Sequence, residues 1–106
     1  MTTRNCMTPF MELTGNTPAM KIVDFLIFNA PYNFNKTQLS ERIGISKKTL
    51  YNAWDILERF SIVKTISFDG RSRFYVLNKE QPVTRALIKL HTAAMDHILG
   101  DTNGSD

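Results

Sequence analysis

Two hydrophobic periods run along the chain. Apolar residues fall at helical spacing from Phe10 to Phe60, alternate as in extended strands to Asn78, and return to helical spacing after Pro82. Thr8-Pro9 ahead of Phe10 and Leu13, with Gly15 behind, predicts a helix of one or two turns. Thr8 caps it, Pro9 suits the first position because an N–H there would have no helical partner, and Gly15 stops it. Thr17-Pro18 repeats the start signal. Met20, Ile22, Val23, Phe25, Leu26, Ile27 and Phe28 then make a helix to about Ala30 that is apolar nearly all round. Such a helix needs cover on more than one side. Another subunit or the N-terminal segment would supply it.

Pro31 ends that helix, and Tyr32-Asn33-Phe34 reads as a very short strand. Asn35 caps the next helix, with Gln38 in the capping-box position, so residues 36–43 form a short helix holding Leu39 and Ile43 inward. Gly44 supplies the left-handed residue for a sharp turn, whose inside Ile45 fills. Ser46 caps a third helix, from Lys47 to about Phe60. Leu50, Trp54, Leu57 and Phe60 make its apolar stripe, while Lys47, Lys48, Thr49, Tyr51, Asn52 and Asp55 fall off it.

Ser61 to Phe68 and Arg71 to Asn78 are β-branched and aromatic runs joined by Asp69-Gly70, a pair suited to a type I′ hairpin loop. Pairing Phe68 with Arg71 sets Val63, Thr65, Phe74 and Val76 on one face and Lys64, Ile66, Arg73 and Tyr75 on the other. Pro82 starts a last helix to about Leu99, with Gly100 as stop. Its near-heptad stripe of Val83, Leu87, Leu90, Ala94 and Ile98, widened by Ile88, Met95 and Leu99, suits helix pairing. The polar tail Asp101 to Asp106 is expected to be disordered.

A chain of 106 residues makes one compact domain. Its longest apolar stretch, broken by Asp24, falls far short of the roughly 20 residues of a membrane span. With no secretory signal in the first sixteen residues, the cytoplasm is the expected location. Cys6 has no partner for an internal disulfide, and with only His91 and His97 beside it no metal cage is expected. The two histidines are six apart and off a common face, which favours structural roles. Trp54, Phe60 and Phe74 read as core rather than as a stacking platform. No nucleophilic triad, paired-carboxylate motif or phosphate loop is present, so neither catalysis nor a cofactor is expected.

Charge is unevenly spread. Residues 36–79 carry nine Lys/Arg against four acids, a net +5, while the remainder sums to −2. A short helix, a glycine turn, an amphipathic helix and a hairpin with basic residues follow one another in this basic segment. The order predicts an α+β, mostly helical fold: a winged helix-turn-helix with a three-helix core, a β-hairpin wing and a C-terminal dimerisation helix. Residues 1–16 are then an N-terminal extension, 17–80 the winged-helix domain, 81–100 the dimerisation helix and 101–106 the tail.

In that geometry the third helix presents Ser46 and its N-terminal N–H groups to a phosphate. Thr49, Tyr51 and Asn52, with Lys47 or Lys48, reach base edges, and Asn52 suits bidentate adenine readout. Arg71 and Arg73 extend to the backbone or minor groove, unless they only guard a hairpin edge. Lys36 and Lys64 are secondary phosphate candidates. The expected partners are double-stranded DNA and a second copy of the chain, with no membrane and no assigned effector. A winged helix used as a protein–protein adaptor is the alternative.

The stretch Gly44-Ile45-Ser46-Lys47-Lys48-Thr49-Leu50-Tyr51, continuing through Leu57-Glu58-Arg59-Phe60-Ser61-Ile62-Val63-Lys64, resembles the recognition region of winged-helix regulators. Their pattern is G-[IV]-S-x-x-T-[VL]-Y, a leucine-rich helix end and G-[LI]-V. The wider frame, from Phe10 to Leu13 through Gly15 to Pro18 and on to Tyr75 to Asn78 and Pro82-Val83, resembles small archaeal predicted transcriptional regulators. The resemblance implies a homodimer with two recognition helices, as in the MarR and ArsR groups. Ser61 replaces the usual glycine and Trp54 a common leucine. Such regulators often carry Arg or Lys where this chain has Asn52, so base preference does not transfer.

Overall fold

The computed structural model describes residues 7–100; Cys6 and the tail 101–106 lie outside the described residues. Five helices and one hairpin follow in the order α1 (Pro9–Thr14), α2 (Pro18–Phe28), α3 (Lys36–Ile43), α4 (Lys47–Arg59), β1 (Val63–Asp69), β2 (Ser72–Leu77) and α5 (Pro82–Met95). A π-helical turn, Asp96–Gly100, extends α5. The expected caps form. Thr8 and Thr17 accept from Met11 and Met20 N–H with proline next in line, and Asn35 and Gln38 complete a reciprocal capping box at 2.8 and 3.0 Å.

Helix α2 ends at Phe28, two residues early, because the Asn29 amide folds back onto the Phe25 carbonyl at 2.8 Å. Its cover comes from within the chain. Phe10 and Met11 of α1, Leu39 of α3, Leu50 and Leu57 of α4 and Leu77 of β2 join Ile22, Val23 and Leu26 in one core. Asp24, the polar interruption, is buried too, and its Oδ1 lies 2.9 Å from both the Thr8 hydroxyl, which donates to it, and His91 Nε2 of α5. Rings of Phe10 and Phe28 flank His91 at 5.0 and 4.9 Å. One carboxylate thereby joins three helices, and His91 takes the structural role expected of it.

Several expected placements differ. The hairpin closes on Asp69 opposite Ser72, so the loop is Gly70-Arg71, with a positive φ (63°) at Gly70 alone. This is the type II′ requirement, one glycine at the first loop position, in place of the two left-handed residues of type I′. The loop shifts the register by two residues, and a bulge between Thr65 and Ser67 takes one back. A net slip of one exchanges faces. Thr65 pairs with Tyr75 and Val63 with Leu77, so Tyr75 and Leu77 join Val63 in the core; Phe74, expected there, is only half-buried, while Val76 is buried but outside that core. Phe60 leaves the core for a half-exposed position as the C-cap of α4. On α5 the inward line runs through Thr84 and His91, leaving Val83, Leu90 and Ile98 exposed. Tyr32-Asn33-Phe34 yields a single bridge, Phe34 to Tyr75, at 3.0 and 2.9 Å.

Both helices of the helix-turn-helix end on a left-handed residue. Gly44 (φ 84°) lets Gly44 and Ile45 N–H reach the Ser40 carbonyl at 2.9 and 3.1 Å. Ser61 (φ 55°) does the same after α4, where Ser61 N–H donates to Glu58 at 3.0 Å and Ile62 N–H to Leu57 at 2.9 Å, the paired bonds of a Schellman stop. A side chain in this conformation costs about 1–2 kcal/mol. Ser61→Gly should therefore raise stability by about 1 kcal/mol, a melting-point gain of roughly 5 °C. Gly44→Ala, whose Cβ would meet no atom within 4 Å, should lower stability by a similar amount through conformation alone. Asp24→Ala strips a partner from the buried His91 and from the half-buried Thr8 hydroxyl, and should cost about 3 kcal/mol in urea unfolding. Retention of full stability by Asp24→Ala would show that the three-helix junction does not depend on this carboxylate.

Candidate nucleic-acid interface

The stripe Leu50, Trp54 and Leu57 fixes one side of α4 against the core, and the opposite side of its first two turns faces out. Lys47, Lys48, Tyr51 and Asn52 are exposed there, and Thr49 is half-buried. Ser46 is exposed but engaged: its hydroxyl oxygen accepts from Thr49 N–H at 3.0 Å and its proton goes to the Thr49 hydroxyl at 2.9 Å. Both side chains therefore hold the helix start in shape. The N–H groups that remain unpaired at a helix start, together with two lysines, give this end of α4 a positive character.

The hairpin brings a second group of cations to the same side. An open cleft of about 410 Å³ is lined by residues 35–37 at the start of α3, Tyr51 of α4, residues 71–73 of the wing and Tyr75 of β2. Lys36, Tyr51, Arg71 and Arg73 thus converge, although 35–37 separate positions in sequence divide Lys36 from the two arginines. No acid lines the cleft. Lys64 stands apart from this group: its ammonium pairs with Glu80 at 3.3 Å, and both partners are solvent-exposed.

The Lys36 ammonium lies over three aromatic rings. It is 4.9 Å from the Tyr51 centroid, 5.2 Å from Trp54 and 5.7 Å from Tyr75. Trp54 and Tyr75 themselves meet edge to face at 4.9 Å and are buried. Sequence reasoning missed this wall. Trp54 is accounted for by the core stripe, and the expected register turns Tyr75 away because the bulge that re-aims it leaves no mark in the alternation of the strands.

A second surface is formed by α1 and α5. Leu13 of α1 and Leu90 and Ile98 on α5 and its extension are exposed around an open, mostly apolar cleft of about 590 Å³, bordered by Glu12 and His97. Among the described residues no group of three or more His, Cys, Asp and Glu is placed to hold a metal ion, and no helix is long and apolar enough to cross a membrane.

No protein-family profile matches the chain, and no curated protein matches it in sequence. Solved structures do match in fold. Reduced HlyU from Vibrio cholerae is 21% identical, with a TM-score of 0.57 over 86% of this chain and 85% of that one. A MarR-family transcriptional regulator from Silicibacter pomeroyi is 21% identical, with a TM-score of 0.59 over 85% of this chain; the match spans 64% of that protein's length. The PcaV transcriptional regulator from Streptomyces coelicolor, solved with its natural ligand, is 16% identical, with a TM-score of 0.57 over 91% of this chain and 70% of that one. These three come from bacteria, so the archaeal part of the resemblance gains nothing from them. What they share with this chain is its architecture, the winged helix-turn-helix.

Proposed function

We propose that the chain is a homodimeric transcription regulator of the cytoplasm that binds double-stranded DNA. The N-terminal half of α4 enters the major groove and the wing lies along the backbone or in the adjoining minor groove. One observation carries this reading: on one open side of a winged-helix fold, the exposed start of α4 adjoins a cleft with three cations and no acid in its wall. An adaptor surface has no need of that charge, whereas a phosphodiester backbone does.

Within this reading residues 17–80 bind DNA and residues 81–100 pair the subunits. Ser46 shapes the helix start, whose backbone N–H groups take a phosphate. Lys47, Lys48, Thr49, Tyr51 and Asn52 face the groove, and the Asn52 amide offers the donor and acceptor that adenine's major-groove edge requires. Arg71 and Arg73 follow the strand, and Lys64 contributes less because Glu80 already holds it. The exposed apolar face around Leu13, Leu90 and Ile98 seats the second copy. Two recognition helices then address half-sites about one helical turn apart.

Duplex binding at micromolar affinity or tighter is expected, with log affinity falling linearly in log salt. Replacing Lys47, Lys48 and Arg71 together by alanine should weaken binding by about 10- to 100-fold and flatten the salt slope by roughly 2–3. Unchanged affinity in the triple variant would remove this surface from the interface. Leu90→Glu combined with Ile98→Glu should convert a sedimenting dimer into a folded monomer and lower affinity for a two-half-site duplex by at least about tenfold. A wild-type chain that sediments as a monomer would refute the pairing.

A further inference from the structure

We infer that the cleft between α3 and the wing is a built site for one phosphate of the DNA backbone, and that Tyr51 serves it as a positioning residue. This rests on the DNA-binding reading and sharpens it: the phosphate fixes the register of the protein on the duplex, and the Tyr51 ring carries the cation that grips it, in place of reading a base.

Lysine is a flexible point charge, and a free lysine loses much motion when it takes a phosphate. Lys36 has lost it in advance. Its ammonium is within 6 Å of three ring centroids, two of which belong to buried side chains. Those rings come from separate elements, Tyr51 and Trp54 from α4 and Tyr75 from β2, and the Phe34 bridge holds Tyr75 in place. Ring faces attract a cation without neutralising it. No carboxylate pairs with Lys36 among the described residues, and Arg71 and Arg73 line the same opening. A caged ammonium in a cleft that Arg71 and Arg73 also line, with no acid among the lining residues, calls for a compact anion of high charge density. The backbone phosphate is the one that a helix-turn-helix brings past the start of this helix and the wing together.

The sole tryptophan, Trp54, lies under the ammonium and reports its position by fluorescence. The full-length chain, Lys36→Met, Lys36→Arg, Tyr51→Phe and Tyr51→Leu would be titrated with duplex DNA across a salt series. Lys36→Met should reduce the slope of log affinity against log salt by about 0.9, one phosphate's worth, and Lys36→Arg should restore it. Tyr51→Phe, which keeps the ring, should bind within about twofold of wild type; Tyr51→Leu should bind about fivefold more weakly, with unaltered preference among duplex sequences. Inorganic phosphate, titrated against chloride at equal ionic strength, should change Trp54 emission saturably in wild type and not in Lys36→Met.

An unchanged salt slope in a folded Lys36→Met would overturn the phosphate site while leaving DNA binding intact. Loss of binding in Tyr51→Phe, or altered sequence preference in Tyr51→Leu, would return Tyr51 to base reading and overturn its positioning role. No duplex binding by wild type, with a Lys36-dependent phosphate response, would retain the anion site and refute the DNA source. No response to either would overturn both.

Discussion

A helix that is apolar nearly all round has to be covered by its neighbours, and α2 imposes that demand on the whole chain. Five elements meet its requirement: α1, α3, α4, α5 and β2 all pack on it. The enclosure also explains how an aspartate survives in the middle of its hydrophobic run. Asp24 emerges where α1 and α5 close over α2, so the α1 cap, Thr8, and His91 reach it from either side. A buried carboxylate is tolerated only with partners of this kind. Its presence selects one docking of α1 and α5 among the many that an apolar helix would accept.

Local chemistry made most of the elements legible in the sequence. Thr-Pro starts, the Asn35–Gln38 box, Gly44 and the stripe of α4 each act within a few residues, and each forms as read except that Phe60 drops out of the stripe. Tertiary geometry decided the rest. Asp69-Gly70 is a strong hairpin signal, yet the loop sits one residue later because the bulge absorbs a residue of β1 so that Tyr75 and Leu77 meet the core. Nothing in the alternation of the two strands marks that bulge. Likewise α5 has two candidate apolar faces, and the choice between them follows from His91 seeking Asp24, 67 residues away. Among the candidate site residues, the exposure of the α4 start was readable from periodicity, whereas the meeting of Lys36 with the wing depends on the chain's path through three elements.

Packing and recognition divide the surface of α4 between them with little overlap. Leu50, Trp54 and Leu57 are committed to the core, Lys47, Lys48 and Asn52 to solvent. Tyr51 lies between the two sets, exposed yet in contact with a cation that itself touches the core through Trp54. Side chains in that intermediate position transmit the rigidity of the interior to the surface, which is how a flexible lysine at a half-buried helix start acquires a defined location.

The wing register carries the same argument further. Had the strands paired as the Asp69-Gly70 signal suggests, the pleat would turn Tyr75 outward and Phe74 inward. The bridge to Phe34 would then fall on a different residue, and the ring that completes the wall beneath Lys36 would be missing. One extra residue in β1 is therefore what places an aromatic wall at the base of the cationic cleft. Bulges tend to re-aim a side chain next to a functional site. In this fold the re-aimed residue is Tyr75, and what it completes is the ring wall beneath Lys36, where the start of α3 and the wing meet.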